Sequence, residues 1–118
     1  MILLPTAYPA DYGRAYLTIS HPAPGATSIT IGAVPNCDGT ACTFATVDEG
    51  PGTLEKSGRH AVKLKDGTTA WYERHACGAN CAGSETLVFR RSGLLITIGV
   101  KGGGVTDILR IANGLKAK

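Results

Sequence analysis

The chain of 118 residues has few aromatic residues (6%), few charged residues (18%) and no long apolar run. A membrane-spanning helix needs about 20 consecutive apolar residues, so no transmembrane segment is predicted. Hydrophobic residues nevertheless make up 43%, which excludes a disordered chain of high net charge. The length predicts a single domain over residues 1–118. Its 16 glycines and six prolines indicate many turns.

Catalytic motifs are also missing. The sequence has neither the His-Glu-x-x-His pattern of zinc proteases nor the Gly-x-Ser-x-Gly turn of hydrolases. Glu73 and Glu85 are expected on a solvated strand face rather than as a catalytic pair. The sequence therefore predicts a protein that is not an enzyme and needs no cofactor or metal. A small hydrolase that uses His60 or His75 is the weakest alternative.

Charge is unevenly distributed, with a net charge of −3 over residues 1–58 and +6 over residues 59–118. Only Arg90 and Arg91 are adjacent, and no segment places basic residues among stacking aromatics, so nucleic acid is not a predicted partner. We expect Trp71 in the core and Tyr72 on the opposite face of its strand. Tyr72, Arg90 and Arg91 are the candidate surface-recognition residues, for an unknown protein or envelope partner.

The four cysteines form two close pairs, Cys37 with Cys42 and Cys77 with Cys81. Two pairs in a short chain indicate either disulfides or a metal site. Four cysteines can form disulfides in three ways. Pairing within each close pair is preferred, because the Asp, Gly and Asn residues that separate its two cysteines favour tight turns. Disulfides persist in oxidising compartments, so this interpretation predicts an extracytoplasmic domain.

Zinc is the main alternative to disulfides. The Cys-x4-Cys and Cys-x3-Cys spacings lie near those of structural zinc sites, although the tight Cys-x2-Cys form is absent. A zinc-stabilised cytosolic module would use all four thiolates and would present the basic half to an anionic partner. Free thiols are the third alternative. The apolar strand content favours disulfides, because the chain can build a core without a metal.

Short strand-like segments separated by turn residues dominate the rest of the chain, and the last segment predicts a helix. Helix 105–116 would begin at a Thr106 cap and end at a left-handed Gly114. Its apolar stripe would comprise Val105, Ile108, Leu109, Ala112 and Leu115. The predicted fold is α+β: a mostly antiparallel sheet of about six to seven strands with one C-terminal helix packed on one face. Residues 1–13 are expected to be extended, residues 48–58 to form a loop, and the strands to lie at 15–19, 28–32, 43–47, 61–65, 68–75, 86–90 and 94–98.

Three stretches resemble a family of bacterial extracytoplasmic domains found on lipoproteins and on the outer part of anti-sigma-factor-like membrane proteins. Residues 3–9 (LLPTAYP) resemble the family's LPxxLP opening. Residues 65–72 (KDGTTAWY) and 108–115 (ILRIANGL) resemble its glycine turn, aromatic strand and LxxIAxxL helix, with Gly114 where Ser is usual. The resemblance implies an α+β envelope domain of uncharacterised role and supplies no catalytic residues.

Residues 1–4 do not form a secretion signal, because the apolar run is cut short by Pro5 and no basic residue precedes it. Export would therefore require a leader in the precursor that this sequence does not include. The precursor is then expected to be anchored by a lipid or a preceding membrane segment. The combined prediction is a disulfide-stabilised lipoprotein or envelope interaction module in the periplasm, in the outer membrane or at the cell surface.

Overall fold

A computed structural model describes residues 3–37, 39–75, 84–102 and 104–117. Within these ranges nine strands and one α-helix are present, with short 3₁₀ turns at Ala10–Tyr12 and Thr40–Cys42. The elements are β1 Leu3–Pro5, β2 Tyr16–Ser20, β3 Thr27–Gly32, β4 Thr43–Gly50, β5 His60–Lys63, β6 Thr69–His75, β7 Ser84–Arg91, β8 Leu94–Lys101, α1 Val105–Asn113 and β9 Leu115–Ala117.

Seven of the strands form one antiparallel sheet in the order β2-β3-β4-β8-β7-β6-β5. The remaining two, β1 and β9, pair with each other as a small antiparallel ribbon. The predicted α+β fold, a mostly antiparallel sheet with a single C-terminal helix, is confirmed. Hairpins β5–β6 and β7–β8 arise from local turn chemistry, since Gly67 and the Ser92–Gly93 pair adopt the positive φ angles that such turns require.

Helix α1 covers one face of the sheet, above β7 and β8. It buries Ile108, Ile111 and Ala112, which follow the i, i+3, i+4 spacing of one helical face. Val105, expected in the apolar stripe, is 36% exposed because it lies in the first turn. Isolated helices of this length are marginal in water, so the packing of these residues on the sheet maintains the helix.

Both ends of the predicted helix differ from the expectation. The N-cap is Gly104 rather than Thr106, and no side chain caps the helix. The helix ends at Asn113, and Leu115 begins a strand instead of completing the apolar stripe. Gly114 has a φ of −91°, so it is not a left-handed stop. A Cβ there would lie 2.9 Å from the backbone nitrogen of Ala7, so close packing of the N-terminal segment is what requires glycine.

Strand β4 is longer than predicted and continues to Gly50. The residues at 48–50 were expected in a loop because they are acidic and end in glycine. The alternation of the strand nevertheless extends through them, with Val47 and Glu49 buried on the same face. The carboxylate of Glu49 accepts a hydrogen bond from the backbone N–H of Leu3 at 2.8 Å, and its burial raises its pKa. Glu49 thus joins β1 to the main sheet.

In the part of the chain that the structure describes, no helix combines the length and the apolar character that crossing a membrane would require.

Candidate binding groove

The face of the sheet opposite α1 is rich in short hydroxyl side chains. Because side chains alternate along a strand, the residues between the buried core positions point to this open face. The strand register places one row of them directly across the sheet. The row runs Thr18, Thr30, Thr46, Gly99, Thr86.

Gly99 interrupts this row and opens a groove. Among the described residues, a Cβ at Gly99 would have one neighbour within 4 Å, the Thr46 hydroxyl oxygen at 3.4 Å, so these residues leave the space above the backbone open. The groove has a volume of about 370 Å³. Side chains of Thr46 and Thr86 flank it because they lie on either side of Gly99 in the row. An isolated glycine inside a strand often marks such a site of close approach.

The loop that contains Cys37 closes one end of the groove. Cys37 and Cys42 form a disulfide in this loop. The hydroxyl of Thr43 donates to the carbonyl oxygen of Gly39 at 2.7 Å, which holds the loop against the start of β4. Gly32 lies directly beneath the bridge, where a Cβ would approach the Cys37 Cβ to 2.7 Å. The chain is therefore a disulfide-stabilised domain whose bridge also shapes the groove.

The described lining of the groove includes one basic residue, Lys101, at the end of β8. Glu85 also borders the groove, but its side chain lies on the helix-covered face with Leu87 and Phe89. There its carboxylate accepts a hydrogen bond from the Tyr72 hydroxyl. Among the described residues of the lining, Lys101 is therefore the charged side chain that faces the groove.

The connection at residues 51–59 covers a different part of the open face. The guanidinium of Arg90 donates to the carbonyl oxygen of Gly52 at 2.6 Å. The ammonium of Lys56 lies 5.2 Å from the centre of the Trp71 ring. This connection covers the side of the face near β6 and leaves the groove uncovered.

The three predicted recognition residues lie on different faces of the sheet. Arg90 is exposed on the open face. Arg91 is on the other face, where its guanidinium bonds Asp66 at 2.9 Å and the helix carbonyl of Ala112 at 3.4 Å. Arg91 thus holds the end of α1, and its side chain is only 17% exposed. Recognition by these residues stays a prediction.

The expected facing of Trp71 and Tyr72 is reversed. Tyr72 shares a face with the buried Ala70 and packs against the core, whereas Trp71 is on the open face. Trp71 was expected in the core, but the bond from the Tyr72 hydroxyl to Glu85 favours the observed arrangement.

Glu85 is 1% exposed, so its expected position on a solvated face was wrong. Burial, and then the hydrogen bond to Glu85, raises the pKa of Tyr72 to about 12. Burial also raises the pKa of Tyr12 to about 12, with Asp11, Asp107 and Glu85 adding to the effect. Glu73 lies on the opposite face from Glu85, so the two do not form a carboxylate pair.

The remaining predicted sites are partly described. Cys77 and Cys81, with their preferred pairing, lie outside the described residues. The bridge between Cys37 and Cys42 occupies two of the four thiolates of the zinc alternative, and no group of three or more metal-binding side chains occurs in the described ranges. His75 lies 3.5 Å from the Glu73 carboxylate, and His60 is exposed at the edge strand β5.

Comparison of the chain with protein-family models, with curated proteins and with solved structures gave no match.

Proposed function

We propose that this chain is an exported, non-enzymatic domain of a bacterial envelope that binds an acidic sugar in the groove above Gly99. The observation that carries the proposal is a groove lined by threonine and apolar side chains, with Lys101 as the basic residue of its described lining and a disulfide loop at one end. Export is supported by the disulfide, because such bonds persist in oxidising compartments. The sequence resemblance to envelope domains points to the same location.

The groove lining matches the two kinds of surface that a sugar ring presents. Threonine hydroxyls at Thr30, Thr46 and Thr86 donate and accept hydrogen bonds, as do the hydroxyls around a sugar ring. Their methyl groups offer apolar contact to the ring's C–H groups. The volume of about 370 Å³ falls within the range of small-ligand sites.

Lys101 supplies the preference for an acid. Its ammonium carries three donors and a positive charge at the groove end. A carboxylate bound there would gain a charge-assisted hydrogen bond, which is stronger than a bond between neutral groups. A uronic acid presents both a carboxylate and ring hydroxyls, so it can use Lys101 and the threonines together.

The proposed binding is tested by titrating the oxidised protein with digalacturonate and with neutral galactobiose, followed by amide chemical shifts. We expect digalacturonate to bind at least about tenfold more tightly than galactobiose, a difference of about 1.4 kcal/mol. Lys101→Gln should remove this preference. Gly99→Val should abolish binding by filling the groove, while Thr97→Val, on the same strand and face, should bind like the unmodified protein. Binding that survives Gly99→Val, or no shift with either sugar, would overturn the groove assignment.

Export is tested separately by alkylating thiols in intact cells before the protein is isolated, then measuring its mass under non-reducing, denaturing conditions. An exported domain should show no alkylated Cys37 or Cys42. Alkylation of both in the native host would contradict export and leave the groove assignment unaffected.

A further inference from the structure

The two edges of the seven-stranded sheet differ in how well they are protected. An exposed edge strand offers unpaired backbone groups to another chain, and proteins usually block such edges with charge, proline or short strands. Edge strand β5 has four residues, carries Lys63 and lies between Arg59 and Lys65. Edge strand β2, Tyr16–Ser20, has neither a charged residue nor a proline.

We propose that β2 pairs with β2 of a second copy of this chain, which joins the two sheets across a two-fold axis. The proposal goes beyond the ligand groove and does not depend on it. The axis would be perpendicular to the sheet, so that both helices stay on the same side. With this axis, the corresponding faces of the two sheets lie on the same side of the dimer. Each pair of residues that lie opposite each other across the axis therefore points to the same face of the joined sheet.

A two-fold axis at Thr18 gives the longest pairing that the strand allows. All five residues of β2 are then matched, with Tyr16 opposite Ser20 of the second copy and Thr18 opposite Thr18. Leu17 lies opposite Ile19 of the second copy, on the face that holds the core. Ile19 is 39% exposed in the single chain, and this contact would cover it. Cross-strand apolar pairs and Thr–Thr pairs of this kind stabilise antiparallel strands.

Charge also favours β2 over β5 as the self-pairing edge. With the axis at Thr18, the nearest cation, Arg14, falls opposite Pro22 of the second copy, so no like charges meet. A β5 pair centred on Ala61 would place Arg59 opposite Lys63, and one centred on Val62 would place Arg59 opposite Lys65. Like charges directly opposite each other destabilise strand pairing.

Pairing through β2 would leave the groove free. The described lining of the groove comes from β3, β4, β7, β8 and the disulfide loop, and it includes no residue of the edge strand β2. Because the axis is perpendicular to the sheet, both grooves would open on the same side of the dimer. Two sites on one side can bind two units of one polymer with increased avidity.

Sedimentation equilibrium over a concentration series tests the proposal without any ligand. We expect a reversible monomer–dimer equilibrium that Ile19→Lys weakens at least about tenfold, because it places a charge in the pairing edge. The matched control, Ala61→Lys on β5, should leave the equilibrium unchanged. A monomer at all concentrations, or equal effects of both lysine variants, would overturn the proposal.

Hydrogen exchange on the unmodified protein gives a second test that does not depend on the folding of a variant. Alternate amides in β2 point away from β3, and in the dimer they would donate to the second copy. We expect their exchange to slow as protein concentration rises, while the amides of β5 show no such change. Concentration-independent exchange in β2 would contradict the pairing.

Discussion

Replacing Tyr72 with Phe is expected to lower the free energy of unfolding by about 1.5–3 kcal/mol, the range for a hydrogen bond to a charged group. The Tyr72 hydroxyl donates to the carboxylate of Glu85, which is 1% exposed. The second carboxylate oxygen of Glu85 has no partner among the described residues. The variant would therefore leave a buried carboxylate without this donor, and urea denaturation measures the loss.

Tyr8→Phe is the matched control, because the Tyr8 hydroxyl donates to the neutral carbonyl oxygen of Pro5 at 3.1 Å. Bonds between neutral groups contribute about 0.5–1.5 kcal/mol, so this loss should be smaller. On a Glu85→Gln background, Tyr72→Phe should cost less than in the unmodified protein, since no charge is then left buried. Equal losses for Tyr72→Phe and Tyr8→Phe, or on both backgrounds, would contradict the assigned role of Glu85.

The same pair predicts a loss of stability at alkaline pH. The pKa of Tyr72 rises from 10.0 to about 12 in the folded chain, first through burial and then through the bond to Glu85. Between these values the unfolded chain releases a proton that the folded chain keeps, so the free energy of unfolding falls as pH rises. Tyr12 has a pKa raised in the same way. Tyr72→Phe should therefore reduce this dependence on pH without removing it.

Replacing Gly32 with Ala is expected to destabilise the oxidised protein by about 1–3 kcal/mol, the usual cost of overpacking. The new Cβ would lie 2.7 Å from the Cys37 Cβ and 3.3 Å from the carbonyl oxygen of Cys42. Because the bridge ties these two residues together, neither can move away independently. Urea denaturation of the oxidised and reduced forms measures the effect, which should be smaller in the reduced form.

Gly99→Ala is the control for this experiment, since it is also a strand glycine on the open face. Among the described residues, its Cβ would have one neighbour within 4 Å, the Thr46 hydroxyl at 3.4 Å, which is an ordinary contact. Alanine is favoured over glycine within a strand by roughly 0.5–1 kcal/mol, so this variant should be neutral or slightly more stable. If Gly32→Ala is as harmless as Gly99→Ala, or equally harmful with the bridge reduced, the bridge does not require glycine at position 32.

Local chemistry made the strands and turns predictable from the sequence. Gly67 and the Ser92–Gly93 pair indicate the turns of the two hairpins, and the apolar alternation on either side identifies the paired strands. The order of the sheet was not predictable in this way. The contact between β4 and β8 joins segments far apart in the chain, and no local signal specifies it.

Buried carboxylates were the least predictable feature, because their partners are remote in sequence. Glu49 is bonded by the N–H of Leu3, 46 residues away, and Glu85 by the hydroxyl of Tyr72. An acidic residue in a strand usually lies in solvent, which is why Glu85 was expected to be exposed, whereas Glu49 was expected in a loop. The sequence does contain a feature that points to the groove. Gly99 is an isolated glycine within an apolar strand, and such a glycine often marks a site of close backbone approach.

The ribbon of β1 and β9 has a mechanical consequence for whatever is joined to this domain. Leu3 pairs with Ala117 and Pro5 with Leu115, so the two described ends of the chain leave from the same point. A force that pulls these ends apart loads one residue pair at a time, as in a zipper, and does not shear all the pairs together. The bond between the Leu3 N–H and the Glu49 carboxylate lies at the first pair, so it would carry load from the start, and once it breaks the ribbon would open at low force.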